Sequence, residues 1–139
     1  MRNDFNRCIK LGFSIISPDG DVTFSPDQLS NHIHQDLSSI DIPMLGFDWI
    51  ICALKSNSIS NSPDSIHDLI SPLVGSKSRI LILMNGLGCE KKFCEWFGEE
   101  KVFGGMAFTC INREYTKYKG EDSDYLTVNH IAFGAVLIG

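Results

Sequence analysis

Two polar side chains stand where apolar runs stop. Phe47–Leu54 ends on Lys55, and Ile80–Met84 ends on Asn85, which opens the turn Asn85-Gly86-Leu87-Gly88. An ammonium and a carboxamide held side by side can grip a carbonyl, a carboxylate or a ribose hydroxyl. Gly86 and Gly88 let the backbone come close to a ligand, and the first turn of a following helix offers unpaired N–H groups. The same residues have a plainer reading. Asn-Gly and Gly-x-Gly are ordinary turn chemistry, and a lysine after a strand is commonly a solvated loop residue. The run Gly86-Leu87-Gly88-Cys89-Glu90-Lys91 is not the dinucleotide fingerprint, because Lys91 stands where the third glycine belongs.

The elements that must position Lys55 and Asn85 are legible around them. Short apolar runs bounded by turn residues are strands buried on both faces, the kind found in parallel sheets covered by helices. Phe47–Leu54 and Arg79–Met84 are two such strands. Between them, Ser62 reads as an N-cap, Pro63 suits the first helical position, and Asp64 favours the positive helix end. Ile66, Leu69, Ile70 and Leu73 follow at i, i+3, i+4 and i+7, one apolar face, and Pro72 and Gly75 mark the stop. Strand 47–54, helix 63–74 and strand 79–84 therefore form a βαβ unit with parallel strands and a right-handed crossover. In such a sheet, ligands bind outside the carboxyl ends of the strands. Lys55 and Asn85 both emerge at that edge.

The rest of the chain reads as follows. Phe5 and Ile9 give a short amphipathic helix ending near Gly12. Phe13–Ile16 and Val22–Phe24 form a hairpin across Ser17-Pro18-Asp19-Gly20. Ser25–Ser39 reads as loop with a short strand near Ile33, and Ser56–Ser62 as a polar loop. A helix over 89–97 has Phe93, Trp96 and Phe97 as its core face. Val102–Ile111 is a strand interrupted by Gly104-Gly105, where packing or a ligand comes close. Arg113–Asp124 is charged and without period, a hairpin loop. Tyr125–Gly139 reads as one or two strands broken at Gly134.

Composition narrows the class. The 139 residues carry a net charge of −5 with 43% hydrophobic and 21% charged residues, which suits one soluble globular domain at most and makes nucleic acid an unlikely partner. No apolar run approaches a membrane span and no signal-peptide core is present, so no membrane partner and a cytoplasmic location are expected. Cys8, Cys52, Cys89, Cys94 and Cys110 contain no CxxC and read as reduced, mostly buried thiols. His32 and His34 have no third ligand nearby, so no metal site is proposed.

Several of these stretches together resemble one family. Phe47 to Lys55, then Met84-Asn85-Gly86-Leu87-Gly88, then Val102-Phe103-Gly104-Gly105, then Asn129-His130 and Gly134 to Gly139 occur in the order and at the spacings of the ketopantoate reductases (2-dehydropantoate 2-reductases). The resemblance covers most of the chain. It implies an α/β fold: a Rossmann-type NADPH-binding domain followed by a helical C-terminal domain, with the active site between them. It also implies transfer of a hydride from NADPH to the C2 carbonyl of a 2-oxo acid, giving a 2-hydroxy acid, pantoate in pantothenate biosynthesis. By the same resemblance Lys55 and Asn85 line the cofactor and substrate crevice. Gly86 and Gly88 belong to the cofactor turn, and Arg2 sits where a family arginine recognises the 2′-phosphate of NADP(H).

The departures from the family pattern are as informative. The family's Gly-x-Gly-x-x-Gly turn precedes the region of Arg2, so the first βα unit is expected to be lacking. The family's catalytic lysine and a substrate-holding carboxylate belong to the C-terminal helical domain, expected to be lacking too. The loop Glu114–Asp124 is longer than usual for the family. The expectation is therefore a partial Rossmann-like domain over residues 1–139 with a parallel βαβ core and no catalytic residue of its own. As an isolated chain it would not turn over. The alternative is a non-catalytic truncated remnant that acts through protein–protein interaction, with a partner chain or a second copy pairing at exposed sheet edges. An intact small domain for a nucleotide or an acyl-CoA-like ligand is a third reading. The missing phosphate turn argues against it.

Overall fold

The computed structural model describes residues 4–117 and 124–139. Arg2 and the centre of the stretch expected to be a long loop lie outside the described residues. In chain order the elements are α1 (Asp4–Leu11), β1 (Phe13–Ile16), β2 (Val22–Phe24), α2 (Pro26–Leu29), β3 (Trp49–Cys52), α3 (Ser56–Asn61), α4 (Pro63–Ile70), β4 (Arg79–Leu83), α5 (Cys89–Phe97), β5 (Val102–Lys117) and β6 (Asp124–Ile138). They assemble into two compact units. One is built from the chain up to Ile40 with Thr109–Gly134, the other from Asp41–Phe108 with Ala135–Gly139.

In the first unit, β1 and β2 form the expected antiparallel hairpin, with Phe13 opposite Phe24 and Gly20 donating its N–H to the Ser17 carbonyl at 3.0 Å. On its other side β1 pairs in parallel with β6, from Phe13 opposite Leu126 to Ile16 opposite Asn129. The small core is Cys8, Leu29 and Leu126, with Phe13, Phe24, Ile33 and Val128 against it. The segment Ser25–Ser39, read as loop with a strand near Ile33, instead opens with the one-turn helix α2 and contains no strand. Its start is a reciprocal capping box. The Ser25 hydroxyl accepts from the Gln28 N–H, and the Gln28 side chain accepts from the Ser25 N–H at 2.9 Å. Four residues are too few to show an apolar period, so only the cap could have revealed it.

The second unit carries the βαβ core. Strands β3 and β4 are parallel and adjacent, in register from Trp49 opposite Arg79 to Cys52 opposite Ile82, and β4 pairs in parallel with β5. Helices α4 and α5 supply Ile66, Ile70 and Phe93 to a core that includes Ile50, Cys52, Ile80, Ile82 and Met84. Strand β4 is buried on both faces, as its unbroken run of Ile80, Leu81 and Ile82 requires. Strand β3 is not: Ile50 and Cys52 face the core while Trp49 and Ile51 are 48% and 62% exposed. It is also shorter than the 47–54 run. Ser78, 2% exposed, ties the starts of the two strands together; its hydroxyl accepts from the Gly75 N–H and donates to the Phe47 carbonyl.

Further expectations are corrected. Ser56–Ser62 is not a loop; it holds helix α3, whose Ile59 joins the core. Ser62 is then both the end of α3 and the start of α4, and its side chain makes no capping bond. Helix α4 ends at Ile70 and a 3-10 turn, Ser71–Leu73, completes the expected 63–74 span, leaving Leu69 half-exposed. The charged stretch from Arg113 is strand as far as Lys117, because β5 continues as one leg of a long ladder whose outer side chains face water. Strand β6 runs unbroken from Asp124 to Ile138, and the expected break is a local distortion within it, where Phe133 and Gly134 both have positive φ.

Candidate cofactor and substrate edge

The carboxyl ends of β3 and β4 lie side by side in the second unit, and each leads into a helix. Beyond β3, Lys55 is exposed and occupies the N-cap position of α3 in extended conformation. Beyond β4, Met84 is buried, Asn85 is exposed and Leu87 is fully exposed before α5 begins at Cys89. Two glycines make that turn possible. Gly86 has φ +137° and Gly88, the N-cap of α5, has φ +84°, both in the region L side chains rarely adopt. The turn also packs against the start of α3: a Cβ on Gly86 would lie 3.1 Å from the Ser56 Cβ and 3.3 Å from the Cys89 Sγ. The structure thus brings the residue after Lys55 into contact with the residue after Asn85. Among the described residues, neither the Lys55 nor the Asn85 side chain has a hydrogen-bond or ion-pair partner. Both are available to a ligand.

A cleft of about 370 Å³ opens in the same unit, lined by Glu90, Gly104, Gly105, Met106 and the backbone from Leu137 to Gly139. Glu90, in the first turn of α5, lies over Gly104, where an added Cβ would come within 3.5 Å of its Cγ. Gly105 is closed from below, since a Cβ there would sit 2.6 Å from Leu83 Cδ2. Gly104 and Gly139 exchange both backbone hydrogen bonds at 3.0 Å, which holds the end of β6 against β5. The glycine pair therefore serves packing on one side and an open cleft on the other, the two meanings the sequence left open. Ser56 and Glu90 were not foreseen as neighbours of this edge. Ser56 sat in an expected loop, and nothing in the spacing joined Glu90 to Gly104.

The Cys52 thiol near the edge is not activated. Burial pushes the Cys52 thiol up from its ordinary range, with the Leu54 backbone opposing and Cys89 adding a smaller upward push. Cys52 is a core residue in the protonated form. Of the five cysteines only Cys8 and Cys52 are buried, and Cys110 is exposed, so the expectation of mostly buried thiols is corrected.

Comparison with known proteins decides the ancestry. The ketopantoate reductase PanE/ApbA family pattern matches residues 1–135. The chain belongs to this family. It is 24% identical over 139 residues to the 2-dehydropantoate 2-reductase of Nostoc sp., covering all of this chain and 37% of that protein. A crystal structure of 2-dehydropantoate 2-reductase from Geobacter metallireducens GS-15 superposes with a TM-score of 0.71 at 28% identity, over 100% of this chain and 39% of that one. The ternary structure of D-mandelate dehydrogenase with NADH and anilino(oxo)acetate shares the fold, with a TM-score of 0.56 at 15% identity, over 96% of this chain and 35% of that one. The ketopantoate reductase chain therefore spans well under half the length of these relatives. Its mixed α/β architecture is that of their Rossmann-like portion. Among the described residues no helix is long and apolar enough to cross a membrane.

Proposed function

We propose that this chain is the cofactor-binding part of a cytoplasmic 2-dehydropantoate 2-reductase-like oxidoreductase that reduces a 2-oxo acid to a 2-hydroxy acid with NADP(H). The observation that carries the proposal is the meeting of the Lys55–Ser56 step with the Asn85-Gly86-Leu87-Gly88 turn at the carboxyl ends of two parallel strands. The residues fit a nicotinamide nucleotide: two unpartnered polar side chains, a turn whose glycines admit close approach, the open N-terminus of α5, and a cleft beside it. When bound, the cofactor supplies the hydride that reduces the carbonyl carbon. Lys55 holds the carboxylate of the acid by charge-assisted hydrogen bonds, and Asn85 donates its amide to the carbonyl oxygen or a ribose hydroxyl. Gly86 and Gly88 line the cofactor side, and Arg2, outside the described residues, takes the 2′-phosphate. Support for a nicotinamide comes from the family and from the NADH-bound relative of the same fold. A net charge of −5 favours a small-molecule partner over nucleic acid.

No residue of this chain is assigned as the proton donor, and the isolated chain is proposed to bind without turnover. The test is a titration of the chain with NADPH, followed by cofactor fluorescence, beside Lys55→Ala and Asn85→Ala. The expected result is saturable binding weakened about tenfold by Asn85→Ala. Absence of saturable binding, or binding indifferent to both substitutions, overturns the proposal. Ketopantoate-dependent oxidation of NADPH by the chain alone would refute its inactivity.

A second reading rests on β3. Among the described residues it pairs only with β4, and it presents exposed Trp49 and Ile51 beside its open edge. A partner chain, or a second copy, would pair there. Sedimentation equilibrium checks it: a monomer across the micromolar range excludes self-association.

A further inference from the structure

The first unit contains a cavity that the reductase reading leaves unused. It measures about 350 Å³ and its walls are Cys8, Phe13, Ile33, Leu126 and Val128, with Asp4 and Arg113 at its mouth. That volume is at the small end of ligand pockets, and the lining has their usual make-up of apolar walls and a few converging polar groups. Leu126 and Cys8 are buried. Cys8 is held in its neutral thiol form mainly by burial, reinforced by nearby Asp4 and opposed by Arg7.

The mouth is a charge cluster with one sign in excess. Asp4 accepts from Arg7 at 2.7 Å, from Arg113 at 3.0 Å and from the Tyr115 hydroxyl at 3.2 Å. One carboxylate thus faces two guanidinium groups and already accepts from three donors. Among the described residues Arg7 Nε is buried without a hydrogen-bond partner, while its guanidinium lies 4.6 Å from the centre of the Tyr115 ring. Among the described residues the half-exposed Arg113 side chain pairs only with Asp4. An anion entering beside Arg113 meets the two guanidinium groups that a single carboxylate now bridges. An amine would meet two cations and an occupied carboxylate. The excess positive charge is local, since the whole chain carries −5.

We propose that this cavity binds a small aliphatic monocarboxylic acid of about six carbons. The alkyl tail packs among Phe13, Ile33, Leu126 and Val128, and the carboxylate takes over Arg113 from Asp4. Asp4 is therefore a built-in competitor for the site, and ligand entry exchanges one carboxylate for another at Arg113. The site draws only on residues of the first unit, and its occupation does not depend on the reductase reading.

Sodium hexanoate is the probe, titrated into the full chain while backbone amide shifts of Cys8, Ile33, Leu126 and Val128 are followed by NMR. Saturable shifts of these amides are expected, with Arg113→Gln weakening binding about tenfold and Asp4→Asn tightening it severalfold. The opposite signs of the two effects are the signature of competition. Hexanol, with the same tail and no charge, should bind more weakly and ignore Arg113→Gln. Absence of saturation into the millimolar range, Asp4→Asn that weakens binding, or hexanol that binds as well as hexanoate would each overturn the proposal. Amides of the second unit report folding in every variant, and if Asp4→Asn unfolds the chain, the hexanol and Arg113→Gln comparisons still decide.

Discussion

Substituting Gly86 tests the geometry of the Asn-Gly-Leu-Gly turn more sharply than removing any side chain from it. With φ at +137°, Gly86→Ala forces an L side chain into a conformation that costs of order 1–3 kcal/mol. The new methyl also lands 3.1 Å from the Ser56 Cβ and 3.3 Å from both the Ser56 Oγ and the Cys89 Sγ. Those neighbours must give by a few tenths of an ångström, adding about 1 kcal/mol. Gly88→Ala is the control. Its φ of +84° is the ordinary left-handed region and a Cβ there meets nothing within 4 Å, so about 1 kcal/mol is expected. Urea unfolding followed by the fluorescence of Trp49 and Trp96, both in the second unit, gives the two values. Gly86→Ala should lose about 2–4 kcal/mol in all. Adding Ser56→Gly should return the part of the steric share that Ser56 supplies and leave the backbone share, a coupling that only contact between the two residues produces. Equal losses for Gly86→Ala and Gly88→Ala, or no recovery with Ser56→Gly, would refute the reasoning that the turn is seated on α3.

Phe93→Ala removes a fully buried ring from the core of the second unit and should cost about 3–5 kcal/mol by the same urea measurement. Ser25→Ala deletes one half of the capping box of α2 and should lower stability by about 1 kcal/mol, read by circular dichroism melting. Cys110 should react with a thiol reagent at pH 8 before Cys8 and Cys52, whose thiols are pushed up by burial; mass spectrometry of partly labelled chain gives the order. The sign of the linked pH effect follows. A raised folded-state value means the unfolded thiols ionise first, so the stabilising share of Cys8 and Cys52 is complete below the ordinary thiol value of 9.0 and is lost as pH rises through the raised one. Replacing both with Ala should flatten the alkaline decline of stability.

What the sequence determined by itself is the local grammar of the second unit and its ancestry. An unbroken run such as Ile80-Leu81-Ile82 favours burial on both faces, and Ser62-Pro63-Asp64 before Ile66 and Ile70 favours the start of a helix with one apolar face. Those two facts place Lys55 and Asn85 at one sheet edge before any coordinates exist. The family resemblance, carried by several separated motifs, needed no structure either. Tertiary structure alone decided the rest, because the deciding interactions join residues far apart in sequence. Strand β3 has the same apolar composition as β4, yet Trp49 and Ile51 are exposed because nothing described covers that face. The charged run after Ile111 is strand because it continues β5 in its pairing with β6, and its Arg113 and Tyr115 reach Asp4, near the other end of the chain. Helix α3 forms from a polar segment with weak propensity because Ile59 is received by the core and Ser56 by Gly86. Periodicity reports which face of a segment wants burial; only the assembled chain determines whether a neighbour is there to bury it.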